Sequence, residues 1–192
     1  MSNTNKLSHP SITADLIIEA RWIATAVSNQ PVLENHAVIV SAGLIVEILA
    51  IADARQKYST TSLVCLDDHV LIPGLINLHT HAAMSLMRGI ADDIALMPWL
   101  NDHIWPAERA VVSERYVKDA SLLASAEMLS GGITCFNDMY FYPQATAAAA
   151  SQAGIRANLG LVVMEFHQHT QVMPMIICKK VELHMMVGAV IH

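Results

Sequence analysis

Residues 70–81 read VLIPGLINLHTH, an almost unbroken apolar run closed by two histidines. A strand covered on both faces in a parallel sheet needs such a run, because helices pack above and below it. Downstream the pattern becomes periodic. Ser113 is placed to cap a helix in which Val117, Ala120, Ala124 and Met128 fall at helical spacing, and Gly131 and Gly132 supply its stop. Residues 133–136 make the next strand, Pro143 opens an alanine-rich helix that Gly154 ends, and residues 155–164 return to strand character. This alternation implies parallel βαβ units, leaving a doubly wound sheet or a (β/α)8 barrel as the main options. Upstream, the short β-type runs 14–20, 36–40, 44–49 and 63–66 suggest a small β-sheet module. The expected organisation is a polar extension over 1–11, the β-sheet module over 12–69, βα units over 70–166 and a tail of different character over 167–192.

Composition narrows the class of partner. With 54% hydrophobic and 15% charged residues the chain can bury a core, and its formal net charge of −6 offers no general attraction to nucleic acid or to an anionic membrane. A small molecule is the expected partner. Cys65, Cys135 and Cys178 lack the paired spacing of a disulfide framework or a cysteine zinc knuckle, which suits a reducing cytoplasm. No basic-then-apolar leader and no run of about 18 uncharged apolar residues is present, so neither a signal peptide nor a membrane span is expected.

His79 and His81 lie two apart at the carboxyl end of the apolar run, and such side chains project to one side of a strand. Both imidazoles can then reach one metal ion, at the strand end where barrel enzymes keep their active sites. Taken alone, the pair also describes two ordinary loop histidines. Its surroundings decide the matter. LIPGLINLHTHAAMSLMRGIADDIALMPWLNDHIWPAE (71–108), GGITCFNDMYF (131–141) and GIRANLGLVV (154–163) resemble the amidohydrolase superfamily, specifically its 5-methylthioadenosine/S-adenosylhomocysteine deaminase branch with the related triazine hydrolases. The resemblance covers roughly residues 14–166.

The resemblance implies a partial metal-dependent-hydrolase (β/α)8 barrel preceded by a small β-sandwich module, one half of the family's composite sandwich. It implies zinc, or another divalent transition metal, held by His79 and His81 together with a histidine and an aspartate on later strands. The activity implied is hydrolysis of C–N bonds: deamination of methylthioadenosine, S-adenosylhomocysteine or adenosine-type nucleosides by metal-activated water, with a glutamate moving the proton. Glu108 matches the family's carboxylate for the ribose hydroxyls, although a solvated glutamate at a helix start has the same local sequence. Arg156 corresponds to a substrate-side arginine in some members, or is a surface ion-pair residue. Trp99 and Trp105 suit packing better than base stacking, Asp92 and Asp93 suit loop or cap positions, and Asn137 and Asp138 are expected to orient loops at the rim. The alternatives are a chlorohydrolase or aminohydrolase acting on a heteroaromatic ring, or a non-catalytic fragment.

A closed barrel takes about 250 residues, and the residues after Leu71 suffice for about three of its strands. The family's third histidine, proton-shuttling glutamate and late aspartate are therefore expected to be missing, so that no catalytic residue lies within the chain and the chain alone is inactive. Any homo-oligomer is expected of the full-length parent. From His167 the sequence HQHTQVMPMIICKKVELHMMVGAVIH loses both periodicity and resemblance. A reading frame shifted between His167 and Val181 accounts for it, and resequencing the gene past the codon for Phe166 tests this.

Overall fold

The computed structural model describes residues 12–161 and 190–191. They form a mixed α/β fold with parallel and mixed sheets in two compact units, divided after Gly74. The unusual tail, with His184 and His192, lies outside the described residues apart from one short strand, as does Cys178.

The first unit begins with β1 (Ile12–Thr13), β2 (Leu16–Ile23), β3 (Leu33–Ser41) and β4 (Leu44–Ala50). Helix α1 (Ile51–Lys57) follows, then β5 (Tyr58–Ser59) and β6 (Leu63–Leu71). Strands β2, β3 and β4 are antiparallel neighbours, β6 runs parallel to β2, and Val190–Ile191 pairs with the end of β6. Alternation along β2 and β3 divides their side chains between two apolar clusters. Ile18, Ala20, Val38, Val40 and Leu66 belong to one, while Ile17, Ala37 and Ile39 join Ala54 of α1 and Tyr58 in the other. Glu19 is the charged exception, 5% exposed and gripped by Arg55 through two hydrogen bonds of 2.8 and 2.6 Å.

The apolar run 70–77 is not one strand. Val70 and Leu71 finish β6 in the first sheet, Ile72–Gly74 interrupt the pairing, and β7 (Leu75–Thr80) starts the second unit. Proline has no N–H to offer a ladder, so Pro73 breaks the run where hydropathy alone shows continuity.

After β7 come a 3₁₀ turn (Ala82–Met87), the one-turn α2 (Leu96–Pro98), a π-helical stretch (Trp99–Ile104) and α3 (Trp105–Val111). Then follow α4 (Glu114–Ser130), β8 (Ile133–Met139), α5 (Pro143–Ala153) and β9 (Arg156–Gly160). β7, β8 and β9 form a parallel sheet in that order, open at the β7 edge among the described residues, as a partial, unclosed barrel-like arrangement requires. The expectation that the HTH strand is covered on both sides is corrected there: Ile76 is 60% and Leu78 76% exposed.

The helix signals act as expected. Ser113 Oγ accepts the Tyr116 N–H at 3.2 Å, and Val117, Ala120, Ala124 and Met128 line the buried face of α4. Gly154 ends α5 in the left-handed region at φ 74°, which lets the Ile155 N–H reach the Ala150 carbonyl at 3.1 Å. Small side chains bring α4 and α5 together, with Ser121 and Thr146 hydroxyls 3.3 Å apart in the interior. Phe136, fully buried among Ala82, Ala124, Met128, Ala150 and Ile155, ties the sheet to these helices. Its replacement by alanine costs about 3–5 kcal/mol. No helix among the described residues is long and apolar enough to cross a membrane.

Candidate functional site

Parallel pairing of β7 with β8 sets Thr80 opposite Asp138, so the segments leaving both strands emerge at one sheet edge. His79 lies where the β7 register shifts, between Asn77 and Thr80, and His81 stands one residue past the strand end. His81 Nδ1 is 2.6 Å from the Met139 carbonyl oxygen. A carbonyl only accepts, so Nδ1 carries the proton and Nε2 keeps its lone pair for a metal. The two rings lie 5.1 Å apart by centroid at an interplanar angle of 80°. With Zn–N bonds of about 2.0–2.1 Å and a tetrahedral angle, two imidazoles on one ion have centroids about 5 Å apart. The centroid separation of the pair is compatible with two imidazoles on one such ion. Among the described residues no three His, Cys, Asp or Glu side chains converge as a complete zinc site.

The same strand end organises the next shell. Asp138, 2% exposed, accepts the Ala82 N–H on Oδ1 at 2.7 Å and so anchors the turn that leaves His81. Burial pushes its carboxyl up, against the lowering pull of the Ala82 N–H and of His81. Tyr140, 6% exposed, donates its hydroxyl to Glu108 Oε1 at 2.7 Å. Burial, then the Glu108 carboxylate, push that phenol far above its ordinary range, so it remains a donor at neutral pH. Tyr116 is a second phenol near this carboxylate: burial and then the Glu108 charge raise it, and its buried oxygen has no partner among the described residues.

His79, His81 and, through Tyr140, Glu108 are thus linked to one end of the β7–β8 pair. Arg156 is not. It starts β9 opposite Cys135, with Leu159 rather than Arg156 opposite Asp138, and its guanidinium binds the Thr134 carbonyl at 3.4 Å and hydroxyl at 3.2 Å. Three residues separate these levels, about 10 Å along a strand. Asn137 meets Asn158 at 2.5 Å. Trp99 donates its indole N–H to the Ala91 carbonyl at 3.0 Å, a packing role, and Asp93 turns the chain at φ 57°. The contribution of Tyr140 is not visible in sequence, where its only signal is its place one residue beyond a strand end.

A profile described as the amidohydrolase family matches residues 70–186. The chain is 48% identical over 153 residues to a 5-methylthioadenosine/S-adenosylhomocysteine deaminase of Saccharophagus degradans, covering 80% of this chain and 34% of the relative. To the like-named deaminase of Teredinibacter turnerae it is 41% identical over 154 residues, covering 80% and 35%. Among solved structures, a zinc-bound adenosine deaminase from Xanthomonas campestris superposes with a TM-score of 0.75 at 48% identity, covering 77% of this chain and 34% of that one. The chain thus spans about a third of the length of the curated relatives it matches. With the match extending over more than half its residues, from the HTH strand onward, the chain belongs to the amidohydrolase family.

Proposed function

We propose that the protein carrying this segment is a hydrolase that releases ammonia from adenosine-type nucleosides, with methylthioadenosine and S-adenosylhomocysteine as the leading substrates. The observation that carries this reading is the pair of imidazoles 5.1 Å apart, one held by Nδ1 to a backbone carbonyl, in a chain 48% identical to a deaminase of that specificity. His79 and His81 would hold zinc. With the family's further ligands, zinc there would supply a water of lowered pKa and a positive charge near the attacked centre. The chain's own residues orient and bind. Met139 fixes the His81 ring, Asp138 fixes the following turn, and Glu108 offers a charged acceptor for the ribose hydroxyls. Arg156, tied to Thr134 at the amino end of its strand, is left out of the proposed site. We read residues 75–161 as the first three strands of the family barrel with the helices that connect them, and the sheet module before them as half of its composite sandwich.

The test is a substrate panel on the complete protein, with ammonia release measured for S-adenosylhomocysteine, methylthioadenosine, adenosine and aminotriazines, and chloride release for chlorotriazines. Nucleoside turnover at least about a hundredfold above triazine turnover is expected, since a half-buried charged acceptor left without its hydroxyl partner is penalised. Triazine turnover without nucleoside turnover would refute the proposal.

A further inference from the structure

A glutamate on a short helix is a poor recognition element by itself. Its side chain rotates freely, and freezing it on binding costs up to about 1.5–2 kcal/mol of rotamer entropy. In this chain that freedom is already restricted. Tyr140 is packed against Ala83, Val117, Ala120 and Ala145, which leaves the ring 6% exposed and its hydroxyl in one place. That hydroxyl donates to Glu108 Oε1 at 2.7 Å. An O–H donor to a carboxylate makes a strong, directional bond, and it occupies one oxygen while leaving the other available.

The chain context extends the consequence. Three successive residues at the end of β8 each hold a different piece of the candidate site: Asp138 takes the Ala82 N–H, Met139 takes the His81 ring N–H, and Tyr140 holds Glu108. The carboxylate is thereby registered to the strand end that orients the His81 imidazole, though 32 residues separate it from Tyr140 in sequence.

We infer that Tyr140 is a positioning residue for ligand selection, its phenol holding one Glu108 oxygen so that the other is presented to the vicinal hydroxyls of a ribonucleoside. This rests on the reading of Glu108 as the ribose acceptor. The contrary view is that Glu108 merely satisfies a buried phenol, and the two views differ in what removal of the hydroxyl does to ligands with and without a diol.

The experiment is equilibrium dialysis of adenosine and of 2′,3′-dideoxyadenosine against the complete protein, stripped of metal so that neither is turned over, and its variants. Y140F is expected to weaken adenosine binding about tenfold and leave the dideoxy analogue unchanged. E108Q should also weaken adenosine, and Y140F/E108Q should bind it no more weakly than E108Q alone, because both substitutions break one chain of contacts. Equal losses for both nucleosides, or none for either, would overturn the inference while leaving Glu108 its role. A wild-type protein with no preference for adenosine over the dideoxy analogue would remove the ribose reading and this inference together. Should Y140F fail to fold, E108D supplies the answer: it keeps the charge but is too short to span phenol and ligand, and it must lose the preference for the diol. Retention of that preference in E108D would overturn the inference.

Discussion

Glu19 sits on β2 at 5% exposure, and both of its oxygens go to Arg55, a side chain that is itself 65% exposed. The Arg55 hydrogen bonds hold its carboxyl below the ordinary value of 4.5, outweighing the opposing effect of burial. A carboxylate with a depressed folded-state pKa contributes stability that is complete above its unfolded value and disappears as pH falls through the folded one. Unfolding midpoints in urea should therefore fall as the pH is lowered below 4.5. E19Q should show a shallower decline, with Glu47, lowered by Lys57 and Tyr58, supplying what remains. At pH 7 E19Q should be less stable by about 1–3 kcal/mol, below the cost of breaking a fully buried pair because water screens the arginine. An E19Q midpoint falling as steeply as that of the wild type would show that the pair is not the acid-sensitive contact. At the other unit, G154A forces a Cβ into the left-handed region at φ 74° and should cost about 1–2 kcal/mol in the same assay. A loss below a few tenths would mean that the turn relaxes.

Among the elements, α4 owes its start to one hydroxyl. S113A removes the acceptor for the Tyr116 N–H and should lower stability by about 1 kcal/mol with an unchanged denaturant slope, whereas S113D should restore most of it. Failure of the aspartate to rescue would contradict capping. This boundary was legible in the sequence because its determinants are local: Ser113 before the periodic face, Gly131 and Gly132 after it, and Pro143 and Gly154 around α5. Residues 82–111 were not legible as elements. They break into a 3₁₀ turn, one α-turn, a π-helical stretch and a two-turn helix, none long enough to show a period. The interruption at Pro73 was hidden by apolar residues on both sides, since hydropathy does not register a missing N–H. The placement of His79 and His81 was legible because both lie at one strand end. The bonds from Tyr140 to Glu108 and from Asp138 to Ala82 span 32 and 56 residues, and no local pattern encodes them.

For the whole molecule, ligand number decides what the 192-residue chain can do with a metal ion. Complete structural zinc sites bind with about 10–16 kcal/mol, and two imidazoles supply roughly half of such a ligand set. Their spacing of 5.1 Å and the fixed His81 tautomer avoid some of the ordering cost, but they add no donor. The expected zinc dissociation constant is therefore between about 1 μM and a few hundred μM. H79A and H81A should each abolish the titration, because one remaining imidazole holds zinc no better than a surface histidine. Ammonia release from S-adenosylhomocysteine by the zinc-supplemented chain should stay at background. Isothermal titration and an ammonia assay check both statements. Nanomolar zinc affinity would mean that further ligands come from residues outside those described, and turnover by the isolated chain would mean that the family's later strands are dispensable for the chemistry.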